Sequence, residues 1–309
     1  MTDATDIVIR VDNLTKHYGE LRAVDGVSFD VRRGEVLGIL GPNGAGKTTT
    51  LECIEGLTEP TSGATTVLGI DTQHEPQKVK ERIGVQLQAS AYFDYLTLKE
   101  ILDLFGRFYN RKIATLELLE QVKLADRANT TVNKLSGGQQ QRFSIAATLV
   151  NDPEVVFLDE PTTGLDPRAR RSLWDFVQSI NSTGRTVVLT THYMEEAEYL
   201  CDRIAIMDRG KIVALDTPDN LVRSLPVPYR IRVGEECKER IAELRELAGV
   251  KEALADENGA RLMSTDASMT VPALMNWATK SGVNLTHLEV VPSNLEDVFL
   301  SITGRALTE

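Results

Sequence analysis

A continuous apolar run, Val36-Leu-Gly-Ile-Leu40, leads directly into Gly41-Pro42-Asn43-Gly44-Ala45-Gly46-Lys47-Thr48, and Thr49 follows within a helix that starts near Lys47. An unbroken apolar run of this length suits a strand buried on both faces, as in a parallel sheet. The Gly-x4-Gly-Lys-Thr spacing between such a strand and a helix is a phosphate-loop pattern. Its glycines let backbone N–H groups converge on phosphate oxygens with no Cβ in the way, and the helix start adds a partial positive charge. Lys47 supplies a full charge to the terminal phosphates, and the Thr48 hydroxyl can ligand Mg²⁺. This segment alone commits the chain to a strand–loop–helix unit, hence to an α/β fold.

The rest of the first two hundred residues agrees. Val27–Val31 alternates cleanly and Ile7–Val11 weakly, as half-buried strands do. Val155–Leu158 and Thr186–Thr190 are apolar runs like the one at Val36, and each ends in a polar turn followed by a helical pattern. From Ala89 to Lys134 no strong strand signal occurs. There Thr97 with Glu100 forms a capping box ahead of Ile101, Leu102, Leu104, Phe105 and Phe108, which marks an inserted helical subdomain over about 89–150. A break follows at Ser224-Leu-Pro-Val-Pro228. The expected organisation is therefore a nucleotide-handling domain over 1–224 and an accessory domain over 225–309. In the latter, the order β-α-β-β-α-β, with a hairpin at Asn258-Gly259 and a last helix capped by Ser293 and Glu296, suggests a ferredoxin-like α+β unit.

The run Val155-Val-Phe-Leu ends in adjacent carboxylates, Asp159 and Glu160. Asp159 is placed to hold Mg²⁺ as the second half of a phosphate-loop magnesium site. Glu160 is placed to take a proton from an attacking water, and a dry site among negative groups is expected to raise its pKa.

With Leu135-Ser136-Gly137-Gly138-Gln139, these elements resemble the ATP-binding-cassette (ABC) family, in which that pentapeptide is the signature motif. Other motifs agree in kind and order from Ile7 to Pro218. Tyr18 resembles the aromatic residue that stacks on adenine; Gln88 resembles the Q-loop glutamine that touches Mg²⁺ and the attacking water. Gly164-Leu165-Asp166-Pro167 resembles the D-loop, and His192 the switch histidine. Gln86 alternates with Gln88 and competes for the Q-loop role, and no acidic residue or proline follows the glutamine as it usually does in the family.

The resemblance implies a P-loop cassette fold with a mixed sheet and an inserted helical subdomain. It also implies that ATP and Mg²⁺ are bound between two subunits, because the signature faces the γ-phosphate held by the other protomer. A homodimer is the simpler expectation, since both half-sites are intact. Glu296–Leu300 with Ser301–Arg305 resembles the tail of cassettes serving ABC-2 type exporters of the daunorubicin-resistance kind. That branch implies a peripheral subunit on the cytoplasmic face of the membrane, docked on a separate permease, with Tyr92, Phe93 and Tyr95 where the permease is received or packed within the helical insert. An importer subunit and a soluble cassette-type switch are the alternatives.

Composition narrows the classes further. A net charge of −11 argues against nucleic-acid binding and against an electrostatic footing on anionic lipid. No apolar run approaches the ~18–20 residues a membrane helix needs, so membrane contact is expected through the permease. Three scattered cysteines, Cys53, Cys201 and Cys237, read as reduced buried thiols. His17, His74 and His287 carry no motif.

Overall fold

The structure, a computed structural model, describes residues 6–86, 92–110, 112–256 and 259–304. The chain divides between Thr217 and Pro218 into two compact units.

The first unit opens with β1 (Ile7–Tyr18) and β2 (Leu21–Arg32), an antiparallel hairpin. Val27, Phe29 and Val31 point inward as the alternation predicts, but both strands run to 12 residues because bulges carry the pairing past polar stretches that show no alternation. Next come β3 (Val36–Leu40), α1 (Lys47–Ile54), β4 (Ser62–Val67), β5 (Ile70–Asp71), α2 (Pro76–Lys80) and β6 (Ile83–Gln86). The helical insert holds α3 (Leu98–Gly106), α4 (Thr115–Gln121) and α5 (Gly137–Thr148). Then follow β7 (Val155–Asp159), α6 (Pro167–Ser182), β8 (Thr186–Thr191), α7 (Met194–Leu200), β9 (Arg203–Asp208) and β10 (Lys211–Asp216).

One sheet runs β2-β1-β4-β5 and is antiparallel; the other runs β10-β9-β3-β8-β7-β6, parallel except for its edge strand β10. A single apolar core joins β1, β2 and β4 to β3 and β7, with Leu51, Cys53 and Ile54 of α1 packed into it. The strands β3, β7 and β8 are buried along their whole length, and the turns that follow them leave from their carboxyl ends. In open parallel sheets that is the edge where ligands bind. All three chemistry-bearing turns lie there.

The second unit starts with α8 (Pro218–Arg223) and contains β11 (Tyr229–Val233), α9 (Ile241–Arg245), β12 (Val250–Asp256), β13 (Gly259–Ser264), α10 (Ala267–Ser281), β14 (Leu288–Pro292) and α11 (Leu295–Thr303). Its sheet order, β12-β13-β11-β14 with every pair antiparallel, is the ferredoxin-like arrangement. Ile231, Val233, Leu244, Leu262 and Leu274 form its separate core. Asn258, the first residue of the expected hairpin turn, lies outside the described residues.

One capping expectation is corrected. Asn294, not Ser293, caps α11: Asp297 N donates to its side chain at 3.1 Å and its own N donates to the Asp297 carboxylate at 3.0 Å. The Ser293 amide is engaged by Pro228 O, continuing the β11–β14 pairing, so the helix starts one residue later. The Thr97–Glu100 capping box forms as expected.

Candidate nucleotide site

The loop Gly41–Gly46 spans the gap between β3 and α1, with Gly46 as the residue before the helix at φ +103°. A Cβ there would stand 2.2 Å from Ala23 O, so only glycine fits. The loop is held from outside. Gly210, in the turn between β9 and β10, donates its N–H to Ala45 O at 2.9 Å and accepts from Asp25 N at 2.8 Å. Ala45 N donates to Pro42 O at 3.1 Å, closing the loop on itself. Asn43, Gly44 and Thr48 are exposed and Thr49 half-buried, and the first turn of α1 carries no acidic residue of its own.

Lys47 is only 4% exposed, and a buried ammonium needs acceptors on all sides. It donates to Gly41 O at 2.9 Å and Pro42 O at 3.2 Å, and lies 3.2 Å from Glu160 Oε1. Thr48 Oγ1 donates to the Asp159 carboxylate at 3.0 Å. The opposite side of Asp159 receives the Thr190 hydroxyl, and Thr190 Oγ1 in turn accepts Glu160 N at 2.9 Å. Thr190 carries no motif. It stands opposite Asp159 in the β7–β8 register, and only that register could have pointed to it.

Glu160 takes a left-handed φ of 47°, unusual for a side-chain-bearing residue. This turn separates the two neighbouring carboxylates. Asp159 faces Thr48 and Thr190, whereas Glu160 faces Lys47, the Thr163 hydroxyl at 3.1 Å and His192 Nδ1 at 3.3 Å from Oε2. The His192 approach is a proximity without hydrogen-bond geometry. Thr163 is a second partner that no motif announced.

The expected rise in the Glu160 pKa is corrected. Burial pushes it up, but the Lys47 ammonium and its hydrogen bond, with His192 and Thr163, outweigh burial and hold it below the usual carboxylate value. Negative neighbours do raise a different carboxyl: Glu55, just past the end of α1, is pushed up to about 8 by burial, then by Asp159 and Glu52.

The signature segment lies apart from this cluster; among the described residues no hydrogen bond or ion pair joins residues 136–139 to the phosphate loop. Ser136 caps α5 reciprocally with Gln139. Ser136–Gln139, Arg142 and Asp166 line one cleft of about 500 Å³, so signature and D-loop face the same space. Asp166 caps α6 by accepting Arg168 N and Ala169 N at 3.0 and 2.9 Å. A Cβ on Gly137 would meet nothing within 4 Å.

Tyr18, at the end of β1, is 49% exposed, with Lys16 Nζ 5.0 Å from its ring centre. Gln88 lies outside the described residues. Its competitor Gln86 is buried at the end of β6, with Oε1 unpaired, and lines a cavity of about 410 Å³ together with Glu55 and Phe105. Tyr92 packs on Phe143 and Phe105, while Phe93 and Tyr95 are exposed. Cys53, Cys201 and Cys237 are free and buried.

The ABC transporter family profile matches residues 24–163. Similar proteins extend over nearly the whole chain. The linearmycin resistance ATP-binding protein LnrL of Bacillus subtilis is 37% identical over 98% of this chain and all of its own length. A daunorubicin resistance ATP-binding protein of Streptomyces coeruleorubidus is 38% identical, covering 96% of this chain and 95% of its own. The Nod factor export ATP-binding protein I of Ralstonia nicotianae is 38% identical over 98% of this chain and 95% of its own. Among solved structures, an ATP-binding subunit of an ABC transporter superposes with a TM-score of 0.63 at 30% identity, covering 70% of this chain and 92% of that one. A dimeric ATP-binding cassette in a post-hydrolysis state, bound to ADP and Pi, superposes with a TM-score of 0.61 at 30% identity over 68% of this chain and 98% of that one. Fold, loop and family match agree: the chain belongs to the ABC transporter family as an ATP-binding, ATP-hydrolysing subunit.

Proposed function

We propose that this chain powers an ABC-2 type exporter as a homodimer docked on the cytoplasmic face of a separate permease. Each ATP lies between the phosphate loop of one copy and the signature of the other. The observation that carries this reading is the near-complete match to drug-resistance and Nod factor export ATP-binding proteins, which spans both units of the chain. Among the described residues no helix is long and apolar enough to cross a membrane, in keeping with a peripheral subunit. Exposed Phe93 and Tyr95 suit a contact with the permease.

The contacts described above and the family resemblance support the following roles. Tyr18 stacks on adenine. The N–H groups of the loop from Gly41 to Thr49 and the Lys47 ammonium bind the phosphates. Thr48 and Asp159 together present the oxygen donors that Mg²⁺ takes, one hydroxyl and one carboxylate already in contact. Mg²⁺ bound there neutralises phosphate charge. Gln88 orients the attacking water; Glu160 accepts its proton, and His192 supports the developing charge. Ser136, Gly137, Gly138 and Gln139, with Asp166 behind them, complete the site of the facing copy.

The Lys47–Glu160 ion pair sets the order of events. A γ-phosphate competes with Glu160 for Lys47, and phosphate charge raises the carboxyl that Lys47 had depressed. Glu160 becomes a better base when substrate arrives.

Glu160→Gln separates binding from chemistry. Turnover is expected to fall by at least roughly a thousandfold, while light scattering detects an ATP-dependent pair of chains. Near-normal turnover removes Glu160 as the base; a chain that stays single with ATP removes the shared site.

A further inference from the structure

One buried carboxyl belongs to none of the motifs. Glu196 of α7 is fully buried, and desolvation raises its pKa against the pull of its donors. An acid in that position needs partners, and a leucine would cost less if packing were its only task. Its partners come from three segments that each carry catalytic or D-loop residues.

From α6, which begins at the Asp166 cap, Trp174 Nε1 donates to Glu196 Oε1 at 3.0 Å and Arg170 contributes a nearby positive charge. From the turn after Glu160 comes the hydroxyl of Thr162; from the end of β8, next to His192, comes that of Thr191. Both hydroxyls lie close enough to favour the charged carboxyl, yet Glu196 Oε2 and Thr162 Oγ1 stop short of full hydrogen-bond geometry and remain buried and unpaired. Arg170 is unfinished in the same way. Its guanidinium lies 3.9 Å from the Tyr193 ring centre, with Nε buried and unpaired. A hydrogen-bond set with spare donors and acceptors in one place can tighten by small shifts of the segments that carry it.

Those shifts bear on the chemistry. Thr163, one residue after Thr162, holds Glu160 Oε2. Thr191 accepts Tyr193 N at 2.9 Å and so fixes the turn that presents His192. The His192–Glu160 approach is itself close but unlocked.

We infer that Glu196 is a positioning residue for hydrolysis: its side chain, hydrogen-bonded to Trp174 of helix α6 and facing the hydroxyls of the Thr162 turn and the Thr191 strand end, sets Glu160 against His192. The inference rests on the roles proposed above for those two residues. It assigns Glu196 no contact with ATP, so it predicts an effect on kcat and none on nucleotide binding.

The test replaces the carboxyl in the full-length chain by an apolar isostere and by an amide. Glu196→Leu is expected to lower kcat about tenfold or more, with KM for ATP within twofold of the parent. Glu196→Gln, which can still accept from Trp174 and donate to the threonine hydroxyls, is expected to restore kcat to within about threefold. Should the leucine variant not fold, Thr162→Val decides. It removes one hydroxyl at constant shape and is expected to lower kcat at least threefold with KM unchanged. A kcat within twofold of the parent in Glu196→Leu, or in Thr162→Val where that variant decides, overturns the inference. So does a fall in kcat matched by a rise in KM, the mark of general loosening. Full turnover in Glu160→Gln would instead overturn the underlying roles, a result distinguishable because it leaves the effect of Glu196→Leu to be explained separately.

Discussion

The phosphate loop and the signature segment of this chain are built on opposite plans. At the phosphate loop every charged group is engaged: Lys47 with two carbonyls and Glu160, Asp159 with Thr48 and Thr190, Glu160 with Thr163. At the signature, Ser136 and Gln139 satisfy each other, and Gly137 faces open space. The first end is a binding site whose groups must be pulled off one another by the ligand. The second is a surface with helix N–H groups to offer and, among the described residues, no bond to the phosphate loop. On the reading proposed above, a single copy supplies one crowded half and one bare half, and two copies exchange them.

Lys47→Ala breaks the crowded half outright. It removes the charge that faces the phosphates and leaves Glu160 buried without its ion-pair partner. ATP affinity, measured by equilibrium binding of a fluorescent analogue, is expected to drop at least roughly a hundredfold, as charge-assisted phosphate contacts of a few kcal/mol are lost. Retained affinity would mean that the backbone cradle alone holds the nucleotide.

Gly137→Asp probes the bare half. A Cβ there meets nothing within 4 Å, so fold and ATP affinity are expected to persist, while a negative charge now occupies the space the proposed function gives to a phosphate. Turnover is expected to fall about 10²–10³-fold, as when a single transition-state donor is lost. Equal losses of affinity and turnover would erase the contrast between the two ends.

The smallest effect concerns the carboxylate crowding that only the first half shows. Glu55 keeps its proton up to about pH 8 in the fold but releases it near its ordinary value of 4.5 when unfolded. Between those values the folded chain binds more protons than the unfolded one, so stability falls as pH rises through the window. The melting temperature is expected to decline from pH 5 to pH 8, and Glu55→Gln to flatten that decline by roughly 2–4 °C for each kcal/mol recovered. An unchanged slope would show that Glu55 does not titrate in this range.

Much of this was legible in the residues, and the division follows sequence distance. The phosphate loop and the capping box at Thr97 are each set within a few residues, so spacing reveals them. The ferredoxin-like order was legible because each strand and helix carries its own period. Thr190, Thr163 and the Lys47–Glu160 pair were not legible, because strand register and a left-handed turn bring them together. The direction of the Glu160 pKa turned on the same hidden contact. The cap of α11 was displaced by one residue because pairing between β14 and β11 claimed the serine first.

The brace from Asp25 through Gly210 to Ala45 has a kinetic consequence. A loop whose shape is set by the turn behind it loses little disorder when a nucleotide arrives, so entry meets no folding barrier. Departure is then governed by how many phosphate contacts must break at once. ADP, with one phosphate fewer, is expected to leave the same braced loop sooner than ATP, with an exchange that needs no melting of the protein.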